Sequence, residues 1–188
     1  IKADGGSALF VPTDVRSSGG VDSGVAQIMV ELGGIDGLVN AAGVRVTGTA
    51  TEISEAEWDL AMDTNLKGAF TMTKAFMRPL RKADNARIIN IASLATFIGI
   101  KPLTIYSSSK GGVGQLTKAL AVEVASENIT VNAIAPGWVD VENQHIVMGE
   151  DFDWEAGAKA VPVGFIGTPR DMGRLCIFLA SEDSRYII

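Results

Sequence analysis

The sequence has little of what disulfide and metal chemistry require. Its 188 residues include one cysteine, Cys176, and one histidine, His145. One cysteine excludes a disulfide or a cysteine metal cluster within this chain, and it fits a reducing compartment. One histidine excludes paired-histidine metal sites and weakens the case for a Ser-His-Asp mechanism. We therefore expect no metal site and a cytoplasmic location, with His145 as a loop residue and Cys176 as core filler.

A basic cluster and a long apolar run are also missing. The formal net charge is −6, so we expect no nucleic-acid partner and no anionic membrane surface. No run reaches the roughly 18 apolar residues of a membrane span. The composition, 47% hydrophobic and 20% charged, is that of an ordinary globular protein, and the length suits one domain. We expect a single domain over residues 1–188.

Apolar runs alternate with segments of helical spacing. The predicted strands are residues 8–11, 35–39, 87–92 and 129–135. The predicted helices are residues 21–32, 54–78, 103–126 and 168–180. Two helix starts carry capping motifs: Ser54 is followed by Glu57, and Thr168 precedes Pro169. Pro79 is expected to end the second helix. Continuous apolar strands that alternate with helices predict a parallel sheet covered on both faces. The fold class is therefore α/β, a doubly wound, Rossmann-like sheet.

Each predicted strand is followed by a polar or glycine-containing motif. These motifs begin at Asp14, Asn40, Ser93 and Pro136. Open α/β sheets bind ligands in the crevice at the carboxyl ends of their strands. The sequence therefore predicts a ligand site that these motifs surround.

Three side chains in one stretch carry a possible mechanism. Ser93 follows a predicted strand, and Tyr106 and Lys110 are four residues apart near the start of a helix, so they share one face. A free tyrosine has a pKa of about 10, and a cation within a few ångströms lowers it. Tyr106 could then exchange a proton with a substrate oxygen. Ser93 would donate a hydrogen bond to the same oxygen as charge develops on it.

Each candidate also has a purely structural interpretation. Tyr106 and Lys110 would lie on a helix surface, and Ser93 would cap a helix. Asn65, in a helix interior where asparagine is unfavourable, would bond the backbone or hold a water that feeds protons to Lys110. Asp14 would contact an adenine or cap the following segment. Glycines 111, 112 and 114 lie within a helix pattern, so we expect close packing there rather than a phosphate loop.

In their order along the chain, these motifs resemble those of the classical short-chain dehydrogenase/reductase family. The matching segments are Asp14-Val15, Asn40-Ala41-Ala42-Gly43, Thr64-Asn65-Leu66-Lys67-Gly68, Ile91-Ala92-Ser93, Tyr106-Ser107-Ser108-Ser109-Lys110, Pro136-Gly137-Trp138-Val139 and Gly167-Thr168-Pro169. The resemblance covers essentially the whole chain, and the set of motifs is far more specific than any one of them.

The resemblance implies an oxidoreductase that uses NAD or NADP to interconvert a secondary alcohol and a ketone on a small molecule. It implies Tyr106 as acid/base, Ser93 as oxyanion partner, Lys110 as ribose ligand that tunes Tyr106, and Asn65 as holder of a relay water. The implied cofactor-binding residues are Asp14 and Val15 at the adenine, Asn40, Ala41, Ala42 and Gly43 beside the ribose, Tyr106 and Lys110, and Pro136, Gly137, Trp138 and Val139 at the nicotinamide. A substrate lid at about 141–160 and a homo-oligomer, tetramer or dimer, are also implied.

Three departures from the family pattern leave alternatives open. Ala41 replaces the second asparagine of the strand-end turn, and Val141 stands where a threonine is common. No glycine-rich strand-to-helix turn occurs near residue 1, so we expect the first β-α-β unit and the last strand to be lacking. One alternative is a truncated, non-catalytic binding or assembly protein of the same fold. Another is a same-fold epimerase or dehalogenase.

Overall fold

The centre of the molecule is a parallel sheet, described in a computed structural model that covers residues 1–149 and 152–188. In these residues the sheet has three strands: β1 (Gly37–Asn40), β2 (Ala86–Ile91) and β3 (Ile129–Ile134), in the order β1-β2-β3. Leu38 lies opposite Ile88, and Ile88 lies opposite Val131. Three of the four predicted strands are thus confirmed, with small shifts at their ends.

Seven helices connect and cover the strands in the described part of the chain. They are α1 (Ser18–Leu32), α2 (Glu55–Ala61), α3 (Gly68–Leu80), α4 (Thr104–Val124), α5 (Glu142–Met148), α6 (Trp154–Ala160) and α7 (Pro169–Ala180). A π-helical segment, Met62–Lys67, joins α2 to α3. Short 3-10 turns occupy Lys2–Asp4, Leu94–Thr96, Ala125–Glu127 and Glu182–Ser184.

Two helix starts follow the predicted capping motifs. The Ser54 hydroxyl accepts from the Glu57 backbone N–H, and the Glu57 carboxylate accepts from the Ser54 N–H at 2.8 Å. Thr168 and Asp171 form the same reciprocal pair before α7, which has Pro169 in its first turn. Since each pair satisfies backbone donors that a helix start leaves free, both starts are confirmed.

Helices pack on both faces of the sheet, as a doubly wound fold requires. Ile88 on β2 belongs to a cluster with Phe76 and Leu80 of α3 and Leu120 of α4. Ile89, the next residue, belongs to a separate cluster with Leu179 of α7. Successive strand side chains point to opposite faces, so adjacent isoleucines bury themselves under different helices. Each such burial contributes about 1.5–3 kcal/mol.

The prediction of a strand at 8–11 is wrong. These residues are irregular and mostly exposed, with Phe10 85% exposed. An apolar run becomes a strand only where a neighbouring strand takes up its N–H and C=O groups. No described strand pairs with this segment.

The predicted end of the second long helix is also wrong, by two residues. Helix α3 continues through Pro79 to Leu80. A proline in the last turn removes only one intrahelical bond. Leu80 has no exposed surface, and Arg81 N–H reaches the Met77 carbonyl at 3.0 Å, so packing and this bond hold the final turn.

The glycines of α4 allow close packing, as predicted. A Cβ at Gly112 would lie 2.6 Å from the Leu66 side chain, and one at Gly114 would overlap Cγ2 of Thr96. We expect Gly114→Ala to lower the free energy of unfolding by roughly 1–3 kcal/mol, because Thr96 would have to move. Denaturant unfolding measures this change.

Gly111→Ala is the matched control, because among the described residues nothing outside its two neighbours and the backbone of its own helix lies within 4 Å of a Cβ at Gly111. In a helix this change is expected to raise stability by about 0.5–1 kcal/mol. Equal stability of the two variants would contradict the packing role of Gly114.

Candidate active site

The carboxyl ends of the strands open onto a cavity of about 440 Å³. Its walls come from the turn after β1, the end of β2, the first turns of α4, the loop after β3, and helices α5 and α7. Ser93, Tyr106 and Lys110 all line it. The structure therefore brings the three residues together in the crevice that the strand-end motifs predicted.

Lys110 is a buried cation at the base of this cavity. Its side chain is 5% exposed, and Nζ donates to the Ile91 carbonyl at 2.7 Å. Nζ lies 5.9 Å from the centre of the Tyr106 ring. Within residues 1–149 and 152–188, no carboxylate pairs with it. Burial without a counter-ion lowers the pKa of Lys110 from 10.5 to about 8.

This burial makes stability depend on pH. Unfolded, Lys110 keeps its ordinary pKa of 10.5, and folded its pKa is about 8. Between these pH values the unfolded chain binds more protons than the folded chain, so the free energy of unfolding rises with pH. This added stability is lost as pH falls through about 8. At about 1.4 kcal/mol per pKa unit, we expect the free energy of unfolding of wild type to rise by roughly 3 kcal/mol across this pH range. In Lys110→Met this rise should be missing.

Denaturant unfolding at several pH values between about 7 and 10 measures this difference. Lys118→Met is the matched control, because Lys118 is an exposed lysine on the same helix. If wild type and Lys110→Met gained stability equally with pH, Lys110 would not be the buried titrating group.

Ser93 caps a short turn and faces the cavity at the same time. Its Oγ accepts from the Ala95 N–H at 3.2 Å, so the structural interpretation holds. The Ser93 N–H donates to Thr96 Oγ1 at 3.3 Å, and that hydroxyl donates to the Lys110 carbonyl at 3.0 Å. Thr96 thereby links Ser93 to α4. The Ser93 O–H stays able to donate toward the cavity.

Asn65 lies in the π-helical segment and is 2% exposed. Its Oδ1 accepts from the Val44 N–H at 2.7 Å, and Nδ2 donates to the Val44 carbonyl at 2.9 Å and to Ser109 Oγ at 2.9 Å. The side chain thus bonds the backbone, one of the two alternatives the sequence left open. Both Nδ2 hydrogens are used, so a relay water would bond another atom of Asn65.

The predicted cofactor residues divide between two neighbouring spaces. The main cavity is lined by Ala41, Gly43, Pro136, Gly137 and Val139, besides Tyr106 and Lys110. A smaller space of about 60 Å³ is lined by Val15, Asn40, Ala41 and Ala42. The Asn40 Nδ2 donates to Asn90 Oδ1 at 2.8 Å and to Thr73 Oγ1 at 3.2 Å, so both of its hydrogens are used within the protein.

Two of the predicted cofactor-binding residues, Asp14 and Trp138, line neither of these two spaces. Asp14 is exposed and accepts from Arg16 Nη2 at 2.7 Å, and this guanidinium lowers the pKa of Asp14 to about 2. An adenine would share the carboxylate with Arg16. The Trp138 ring packs 5.4 Å from Phe152, centre to centre.

The predicted lid region contains α5, α6 and an aromatic cluster. Phe152 lies 5.0 Å from Trp154, whose ring lies 4.2 Å from His145. His145 Nε2 lies 2.5 Å from Asp140 Oδ1. The prediction of His145 as a loop residue is therefore wrong, since it lies in α5 and packs within the predicted lid region. Residues 150 and 151, which fall inside the predicted lid, lie outside the described residues.

Sequence reasoning missed several residues at this site. Arg45 and Gln144 line the cavity, as does Cys176 of α7, which also packs against the core cluster of Ile89. Burial raises the pKa of the Cys176 thiol. Arg45 stands two residues after Gly43, so a charge just past the small-residue turn was a usable signal. Gln144 had none.

Asn90 was also missed, although it is polar within an apolar strand. It has no exposed surface, accepts from Asn40 and donates to Thr117 Oγ1 at 2.9 Å. Thr117 donates in turn to the Val113 carbonyl at 2.8 Å. A satisfied buried network of this kind fixes β1 and β2 against α4.

Comparison with known proteins decides the family. The family model described as enoyl-(acyl carrier protein) reductase matches residues 1–188. The 3-oxoacyl-[acyl-carrier-protein] reductase FabG of Chlamydia muridarum is 36% identical over 184 residues, 97% of this chain and 73% of that protein. The chain belongs to the short-chain dehydrogenase/reductase family.

Other members of the short-chain dehydrogenase/reductase family support the same assignment. Galactitol 2-dehydrogenase of Agrobacterium fabrum is 37% identical over 196 residues, 99% of this chain and 77% of that protein. The solved structure of ElxO with NADP bound is 31% identical, with a TM-score of 0.86 over 93% of this chain and 71% of that one. The protein is an NAD(P)-dependent oxidoreductase.

The residues of the cavity fit a dinucleotide. A Cβ at Gly43 would lie 3.3 Å from Asn65 Oδ1 and 3.5 Å from Lys110 Nζ, so glycine keeps this space open. Lys110 uses one of its three N–H bonds, toward Ile91. The other two suit the hydroxyl groups of a ribose. Within the described residues, no helix has both the length and the apolarity to cross a bilayer.

Proposed function

We propose that this oxidoreductase interconverts a secondary alcohol and a ketone, with Tyr106 as its acid/base. The observation that carries the proposal is the shared cavity of Ser93, Tyr106 and Lys110, with Lys110 Nζ 5.9 Å from the Tyr106 ring centre. A hydroxyl donor, a phenol and a buried cation are the groups needed to protonate and deprotonate a substrate oxygen.

Each residue has a definite task in this scheme. NAD or NADP, when bound, supplies or accepts the hydride. Tyr106 gives a proton to the ketone oxygen or takes one from the alcohol, and Ser93 donates a hydrogen bond to that oxygen. Lys110 stabilises the phenolate by its charge and donates to the ribose hydroxyls. Asn65 positions the turn at Val44, and a relay water beside it completes the proton path in this scheme.

The remaining predicted residues would hold the cofactor. Gly43 and Ala41 leave room beside Lys110, and Pro136, Gly137 and Val139 provide a mainly apolar wall for the nicotinamide. We assign Asp14 and Val15 to the adenine side, with the Asn40 and Ala42 backbones between. Trp138 would act through the lid, since its ring packs on Phe152.

The lid, the assembly and the location belong to the same proposal. Residues 141–160 would close over the substrate, and Val141 and Gln144 already line the cavity. A homodimer or tetramer through α3 and α4 is supported by Phe70, 47% exposed beside an apolar groove that includes Leu66 and Leu116. The single cysteine supports a cytoplasmic location.

The test is a spectrophotometric assay of reduced nicotinamide formation. The purified protein is offered NAD and NADP in turn with a panel of secondary alcohols, and the reduced cofactors with matching ketones. We expect turnover with at least one pair. Cofactor binding with isomerised product, but without net change in nicotinamide redox state, would instead support an epimerase.

A further inference from the structure

Arg45 is a charged residue in a cavity with mainly apolar walls. It lines the same cavity as Ser93 and Tyr106. Most of the other walls are valine, isoleucine, alanine, proline and methionine. Neither the hydride transfer nor the proton transfer proposed above uses a guanidinium at this position. Its presence therefore needs a separate explanation.

The guanidinium of Arg45 lacks an acidic partner. Arg45 takes part in none of the ion pairs found in the described ranges, 1–149 and 152–188. Its Nη1 donates to Gln144 Oε1 at 3.4 Å, the long end of the range for hydrogen bonds, and among the residues that the structure describes none accepts from its buried Nε. A guanidinium in these surroundings carries a free energy cost that an anion would relieve.

The backbone that carries Arg45 is held in place. Asn65 bonds both the N–H and the C=O of Val44, the residue before it. Asn65 is buried and also bonds Ser109 on α4, the helix that bears Tyr106 and Lys110. The backbone next to Arg45 is thus held in place relative to Tyr106 and Lys110. A side chain on a rigid support can select substrates by the position of their charge.

We propose that Arg45 binds a carboxylate group of the substrate, which makes the substrate a hydroxy acid and the product a keto acid. The planar guanidinium matches a carboxylate with two parallel hydrogen bonds. Gln144 flanks the same anion from the lid side and adds an amide donor after rotation. The inference rests on the proposed function, because it assigns the substrate class of the same site.

The test compares hydroxy acids with their methyl esters. The acids carry the carbinol at increasing distances from the carboxylate, and each ester keeps the shape without the charge. We expect wild type to prefer an acid to its ester by roughly tenfold or more in kcat/KM. Arg45→Met should lower kcat/KM for the acid by roughly 10- to 100-fold and for the ester by less than about threefold. The KM for the cofactor should not change.

Two variants serve as controls. Arg45→Lys keeps the charge but loses the paired geometry, so it should restore part of the acid preference. Arg78→Met makes the same substitution at an exposed position of α3 and should leave every rate unchanged.

Several outcomes would overturn the inference. If Arg45→Met lowered kcat/KM equally for the acid and its ester, Arg45 would have a structural role. A raised KM for NAD or NADP with unchanged substrate parameters would place a cofactor phosphate at the guanidinium. If the enzyme oxidised neutral alcohols and showed no preference for acids, only the carboxylate site would be refuted. If it oxidised no alcohol at all, the proposed function itself would be refuted.

Discussion

Replacing Tyr106 with phenylalanine should lower kcat by roughly 10²- to 10⁴-fold, the range for loss of a general acid/base. The phenylalanine ring keeps the shape of the cavity wall but has no exchangeable proton. Cofactor binding should remain within a few-fold of wild type, because Lys110 and the strand-end turns are unchanged. Steady-state rates and a cofactor titration by tryptophan fluorescence measure the two quantities.

Tyr186→Phe is the matched control for this substitution. Tyr186 is the other tyrosine of the chain, and it is 97% exposed near the last residues. The same loss of a hydroxyl there should leave kcat unchanged. Near wild-type activity in Tyr106→Phe would show that another group moves the proton.

Lys110→Met should lower both the rate and the affinity for the cofactor. Hydrogen bonds to a charged group contribute about 1.5–3 kcal/mol, so cofactor affinity should fall roughly 10- to 100-fold. The rate with saturating cofactor should fall as well, because the phenolate of Tyr106 loses its neighbouring cation. In the wild-type protein without ligand, this cation is lost as pH rises through about 8, since burial lowers the pKa of Lys110 to that value.

Methionine keeps most of the volume of the buried lysine stem, which limits damage to the fold. The exposed Lys118 on the same helix again provides the control. A variant that binds NAD or NADP as tightly as wild type would argue against the ribose contact, whatever happens to the rate.

The order of strands and helices could be predicted from the sequence because burial imposes it. The run at Ala86–Ile91 is mainly apolar, with Arg87 and Asn90 as its polar members, since both faces of β2 are covered. The period of α4 follows its buried stripe at Val113, Leu120 and Val124. The segment at 8–11 has an equally apolar pattern. It fails as a strand because strand formation depends on a neighbour, and a local pattern does not show whether the neighbour exists.

The meeting of Ser93, Tyr106 and Lys110 in one cavity could be predicted for a related reason. Ser93 follows a strand, and Tyr106 and Lys110 are separated by one helical turn, so sequence spacing alone fixes their approximate placement. Arg45 and Gln144 come from a turn and a short helix that meet only in the folded chain. Asn40 stays a predicted cofactor contact through its backbone, since pairing in register with Asn90 places its side-chain Nδ2 on Asn90 and Thr73.

The π-helical segment at Met62–Lys67 restricts the length of the chain as well as its residues. Such a segment accommodates one more residue per turn than its α-helical neighbours. Deleting Leu66 or Lys67 would let α2 run into α3 without interruption and would turn Asn65 and α2 relative to α3 by about 100°. With Phe76 and Leu80 kept against the sheet, Asn65 could no longer reach Val44. This stretch should therefore resist insertions and deletions, so variation among functional sequences here would be in side chains other than Asn65 and not in residue count.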